Sequence, residues 1–167
     1  MSGTDPGAFW RFSLARYAAP GVAAGCLQLQ DREGADVNLL LLALWLGELG
    51  HRLDQEGGTR LADLAAGWQD PIVSPLRMVR RRLKERQDAP WAETVATWRR
   101  RIAEAELAME ELEQRILEQA VGQLALAAPD PEAVNANLAA LGLGRLLKME
   151  AWHHLLRTVG DGGVAVP

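Results

Sequence analysis

Asp36-Val37-Asn38-Leu39-Leu40-Leu41-Leu42-Ala43-Leu44-Trp45-Leu46-Gly47-Glu48 is the stretch that decides the fold. A surface helix shows an apolar stripe on one side. This run is apolar nearly all round, the pattern of a helix at the centre of a core. Asp36 stands where a cap belongs, because a short acceptor side chain satisfies the first free N–H groups of a helix. A membrane span needs about 20 such residues, and here Glu48, His51 and Arg52 follow the run at once. The expected helix runs from Val37 to about Gln55, with Gly57-Gly58 as its stop.

Outward from this helix, strand signals are scarce and helix signals are many. On the N-terminal side, Asp5-Pro6 reads as a cap followed by proline at the first helical position. A first helix then reaches Tyr17, with Trp10, Leu14 and Tyr17 on one face. Pro20-Gly21 breaks the chain, and a second helix to about Gln30 buries Val22, Cys26 and Leu29. Asp31-Arg32-Glu33-Gly34 forms a turn. On the C-terminal side, Thr59 caps a short fourth helix through Trp68, and Asp70-Pro71 ends it. Ser74-Pro75 opens a fifth helix over residues 75–87, with Leu76, Val79 and Leu83 facing inward.

The sixth helix spans 90–126. Trp91, Val95, Trp98, Ile102, Ala105, Met109, Leu112 and Ile116 alternate spacings of four and three, which makes a heptad seam. Asp130-Pro131 opens a seventh helix to Leu141, Gly142 and Gly144 punctuate, and an eighth runs to Val159. The expected fold is all-α: one domain over residues 1–160, a bundle of seven or eight helices, with a flexible tail at 161–167. Helices 75–87 and 90–126 should form an antiparallel hairpin, since a very short link joins them.

The bulk numbers agree with one globular domain. The 167 residues are 49% hydrophobic and 24% charged, which excludes general disorder. The net charge of −4 disfavours a general nucleic-acid binder. A single cysteine, Cys26, excludes an internal disulfide and a multi-thiolate zinc site. Ala23-Ala24-Gly25-Cys26 resembles a lipoprotein cleavage box, but Arg11, Arg16 and Pro20 interrupt the apolar run a signal peptide needs. The expected location is the cytoplasm. Arginine far outnumbers lysine, the bias of a GC-rich bacterial genome, which weakens any single arginine as a sign of design.

Few segments offer chemistry. Pro75 to Arg86 is strongly basic, and Arg77, Arg81 and Lys84 share one helical face, with Arg80 beside them. Guanidinium forks bind oxyanions bidentately, so this face can grip a phosphate, a carboxylate or an acidic partner. The plain alternative is a solvated face, or one paired with the glutamates of the long helix. Asp36 and Asn38 are first of all a helix start; beside the arginines they would line a polar pocket. Glu48/His51 and Glu150/His153 are Glu-x-x-His pairs, half of a di-iron carboxylate pattern, but a clear fourth carboxylate is missing. Ser13, Ser74 and Cys26 lack a nucleophile's context, and no phosphate loop is present. The tryptophans read as core, with Trp91 the best candidate for an exposed contact.

Two blocks resemble a small family of proteobacterial helical proteins of unknown function. The first holds Trp10, Phe12, Ser13, Tyr17, Val22, Cys26-Leu27, Leu29-Gln30-Asp31, Gly34, Asp36 to Leu40 and Trp45. The second holds Trp68, Pro75-Leu76-Arg77 and Arg81 to Lys84. The resemblance covers residues 9–112 and implies a helical fold but no activity. It joins the two blocks, which favours Asp36, Asn38, Arg77, Arg81 and Lys84 as the site. The functional expectation is a non-enzymatic interaction or adaptor protein, acting through its basic face on a protein partner or a second copy. The alternative is binding of a small anionic ligand, or a reaction on one, in a polar pocket built from those five residues. The di-iron reading stands behind both. No cofactor is expected, nor nucleic acid or membrane as partner.

Overall fold

The computed structural model of the chain describes residues 6–86, 90–126 and 132–161. Asp5, the Asp88-Ala89 link, the Asp130-Pro131 helix start and most of the expected tail lie outside the described residues. Among the described residues eight α-helices follow one another: α1 (Ala8–Tyr17), α2 (Val22–Glu33), α3 (Val37–Glu48), α4 (Gln55–Trp68), α5 (Ser74–Lys84), α6 (Ala92–Val121), α7 (Ala133–Leu138) and α8 (Glu150–Asp161). Among the described residues there is no strand, and the fold is all-α.

Helix α3 is central, as its sequence requires. Every residue from Asn38 to Leu46 is buried. Phe9 of α1 stacks on Trp45 at 5.1 Å between ring centroids. Val22, Cys26 and Leu29 of α2, Leu138 and Leu141, and Trp152 and Leu155 of α8 complete the apolar core.

The helix ends depart from the sequence reading in instructive ways. Helix α3 stops at Glu48, where Gly50 adopts φ 70°, a left-handed conformation that ends a helix cheaply. Asp54, not Thr59, caps α4, accepting from the Gly57 N–H at 2.7 Å. Gly57 and Gly58 are therefore no stop. They lie in the first turn of α4, and a Cβ on Gly58 would meet the Ala140 carbonyl oxygen at 2.4 Å. The glycine is a close-packing residue. Asp70-Pro71 does not end the segment either: a π-helical turn over Gln69–Val73 joins α4 directly to α5. Helix α1 begins at Ala8, and its first amides are capped from far away: Glu118 of α6 accepts from the Gly7 and Ala8 N–H groups, each at 3.0 Å.

Helices α5 and α6 pack antiparallel, shown by Arg77 meeting Glu110 while Arg80 meets Glu106. The faces they present are not those expected. Helix α5 buries none of its residues fully, and Val79 is exposed. The seam of α6 is not the core face: Trp98 is 52% exposed and Leu112 is exposed too. The buried stripe of α6 is instead Glu106, Glu113, Gln114, Leu117, Glu118 and Val121. An arginine–glutamate interface has replaced the apolar one that period-counting implies. Trp91 is 69% exposed, as expected.

Candidate functional site

The first turn of α3, one face of α1, the α4–α5 junction and the middle of α6 border a half-open cavity of about 680 Å³. That is the size of a pocket for a small organic molecule. Trp10, Leu14 and Tyr17 share a face of α1, as the sequence indicates, but that face lines the cavity; Phe9, Ser13 and Arg16 are the buried residues of the helix. Leu27, Leu41 and Leu107 add apolar wall.

Four of the five sequence-derived site residues meet here. Asp36, Asn38, Arg77 and Arg81 all line the cavity, while Lys84 is exposed and stands apart from it. Asp36 caps α3, its Oδ1 accepting from the Asn38 N–H at 2.8 Å. Burial pushes its carboxyl above the usual carboxylate range and the charge of Asp70 adds to this, against the amides of Asn38 and Leu39 and the charge of Arg77. Arg77 donates through Nε to Glu106 at 3.0 Å and through a terminal nitrogen to Glu110 at 2.7 Å. Arg80 grips Glu106 with both Nε and a terminal nitrogen. Two of the basic residues are thus neutralised by the acidic helix. Arg81 reaches out to Asp31 at 2.6 Å, with both side chains about half exposed.

The acidic side of the site was invisible to hydrophobic period-counting. Gln114 donates through Nε2 to Asn38 Oδ1 at 2.8 Å. Glu113 is 1% exposed, and neither of its carboxyl oxygens meets a hydrogen-bond partner. Burial, then the charges of Asp36 and Glu110, push its pKa up to about 9, with Asn38 and Arg77 acting the other way. It is a neutral acid at pH 7. Glu110 is raised as well, by burial first, with Arg77 opposing. Desolvation raises the Tyr17 hydroxyl, on the cavity wall, to about 12, with Cys26 and Glu110 contributing. The signal that marks these residues is positional: Glu106, Glu110, Glu113 and Gln114 fall in phase with Leu117 and Val121 on one stripe of α6.

One feature sets the cavity apart. Ser13 Oγ, Gln69 Oε1, Arg99 Nε and Gln114 Oε1 are buried without a hydrogen-bond partner, and all four residues line it. Among the described residues, the remaining side-chain atoms in this state are the two Glu113 oxygens. Buried polar groups are nearly always paired; these four atoms are covered by the cavity wall rather than open to the cavity.

The metal reading finds no assembly. Glu48 is ion-paired with Arg16, and Glu150 and His153 are exposed on α8. Among the described residues no group of three or more His, Cys, Asp or Glu is arranged to hold a metal ion. Cys26 is a core thiol, raised to about 12 by burial. No helix among the described residues is long and apolar enough to cross a membrane.

Fold and site together define an all-α domain with a mixed-charge cavity beside a leucine core. Residues 8–117 match the family described as "Protein of unknown function (DUF2390)", and the chain belongs to that family. The match takes in every helix that lines the cavity. No curated protein and no solved structure matches the chain.

Proposed function

We propose that this protein binds a small anionic molecule with an apolar body in the cavity between α1, α3, α5 and α6. The observation that supports this most is a cavity of about 680 Å³ with an apolar wall on one side and two cations, Arg99 and Arg100, on the other. The anion preference follows from Arg99 and Arg100. Arg77 and Arg80 are spent on Glu106 and Glu110, whereas Arg99 and Arg100 line the cavity with no carboxylate partner among the described residues. Trp10, Leu14, Leu27, Leu41 and Leu107 supply the apolar wall.

Titration calorimetry with dodecanoate tests the reading. Saturable binding that weakens about tenfold or more in the Arg99→Gln/Arg100→Gln variant is expected. Binding unaffected by that pair, or absent altogether, contradicts it.

The interaction reading stands second, on a separate observation. Trp91, Trp98 and Leu112 recur at heptad spacing along α6 and are all exposed, and exposed apolar stripes mark association surfaces. A second copy of this chain is the partner that reading names. Sedimentation of wild type against Trp98→Glu checks it: a dimer that becomes a monomer supports it, and a wild-type monomer at all concentrations removes it.

A further inference from the structure

The outer side of the α5–α6 hairpin is uncovered. None of the described residues from Ser74 to Ala105 is buried, so over this length the two helices form an arm without a core of its own. At 100° per residue, Thr94, Trp98, Ala105, Leu112 and Gln119 fall on one side of α6. That side is roughly opposite Ala96, Ala103 and Glu110, which line the cavity. Trp98 and Leu112 are exposed, and the residues between them on this face, Ala105 and Ala108, are small. Ala105 is the midpoint of the Trp98–Leu112 span and lies near the middle of α6. Charge divides at the same place. Before it α6 carries Arg99, Arg100 and Arg101 against Glu93; from Glu104 onward it carries six glutamates against Arg115. Glu106, Glu110, Glu113 and Glu118 are turned into the fold, whereas Glu104 is exposed and Glu111 partly so. Both share the flank of Arg101, which stands over the Trp98 ring at 5.0 Å and meets no carboxylate among the described residues.

We infer that two copies of the chain pair along this stripe with their α6 helices antiparallel and a twofold axis at Ala105. The pairing rests on the self-association reading above and adds its geometry. A closed two-chain contact uses the same patch on both copies, so the patch must complement itself. Turned about Ala105, the stripe does so: each Trp98 comes level with the second copy's Leu112, and the alanines between them let the helices approach closely. Trp91 comes level with the second copy's Gln119, so α6 is used along nearly its whole length. A parallel pair sets tryptophan on tryptophan and leaves a gap at the alanines. Electrostatics select the same sense. Residues 75–101 hold nine of the chain's 18 basic residues, and a parallel pair brings the two basic arms side by side, where like charges repel. In the antiparallel pair each basic arm lies along the acidic half of the second copy's α6. Arg101 is then level with the second copy's Met109, between its Glu104 and Glu111.

Sedimentation and engineered cysteines test this on the full chain. The wild type, whose Cys26 is buried, is the blank for cross-linking. Ala105→Cys places two thiols at the axis and should give a disulfide-linked dimer under mild oxidation. Thr94→Cys lies on the same face but far from the axis. Its two thiols stand about 33 Å apart at 1.5 Å per residue, so it should not link to itself. A mixture of Thr94→Cys and Arg115→Cys chains should give a linked mixed dimer. Arg101→Glu should weaken the dimer at least about tenfold, and adding Glu111→Arg should recover most of that loss. Self-linking of Thr94→Cys is the parallel signature; it overturns the antiparallel pairing and leaves the self-association reading standing. A dimer in which Ala105→Cys does not link puts the axis elsewhere and overturns the pairing too. A wild-type monomer at all concentrations, or a dimer that Trp98→Glu does not dissociate, removes both.

Discussion

Helix α3 belongs to two different environments. From Leu39 to Leu46 it lies in a core made of leucine, valine and tryptophan, where any well-packed apolar set of the right volume would serve. One turn earlier, at Asp36 and Asn38, it enters a site where it meets the Gln114 amide and the charges of Arg77 and Asp70. The leucine half follows the ordinary rules of folding. The other half breaks them: a neutral glutamic acid without partners, two arginines spent against two glutamates, four orphaned polar atoms. Buried ion pairs and polar groups give little net stability and often reduce it. The contrast separates a half whose packing holds the domain together from a half whose polar groups add little to its stability.

The comparison breaks most visibly by damage to the core. Leu42→Ala, at a fully buried position, should cost about 3–5 kcal/mol in denaturant unfolding. It should leave ligand binding intact in the surviving folded fraction. Gly58→Ala should cost about 1–3 kcal/mol, because the new methyl meets the Ala140 backbone.

On the polar side the signs differ. Arg77→Met removes the partner of Glu106 and Glu110, and should cost about 3 kcal/mol at neutral pH. Much of that cost should return as the pH falls and the stranded carboxyls take up protons. Glu113→Gln should stabilise. Folded Glu113 holds its proton to about pH 9, while the unfolded side chain loses it near 4.5. Between those values the folded state binds more protons, so stability falls as pH rises. The variant escapes this fall: it should match wild type near pH 5 and exceed it by a margin that grows up to about pH 9. Melting curves across that window read it directly. The smallest effect belongs to Arg81→Ala. Its pair with Asp31 is about half exposed and worth under about 1 kcal/mol.

The same contrast explains what the sequence could disclose. The leucine run placed α3 at the centre, and Val22, Cys26 and Leu29 took their inward places, because apolar burial leaves a periodic trace. The α5–α6 hairpin was legible as well, but not its contact faces. Its two helices meet through Arg77, Arg80, Glu106 and Glu110, and an electrostatic interface has no hydrophobic period. The heptad seam therefore reads as core at Trp98 and Leu112, and both are exposed. One local signal is overridden by distant packing: Gly57-Gly58 reads as a stop until Ala140 lies against it. The first turn of α1 also takes a cap that no local pattern announces, from Glu118. Of the site, Asp36, Asn38, Arg77 and Arg81 were within reach. Gln69, Arg99, Glu113 and Gln114 were not, since nothing in a single sequence tells a solvated polar residue on a long helix from one turned inward.

The central claim is that the polar half of the domain is a ligand site. Native mass spectrometry of untagged protein, gently purified, tests it most directly, with Arg99→Gln/Arg100→Gln beside it. The wild-type chain should carry a small added organic mass that is lost in the double variant. The bare chain mass in both, together with no saturable binding of dodecanoate, would contradict it.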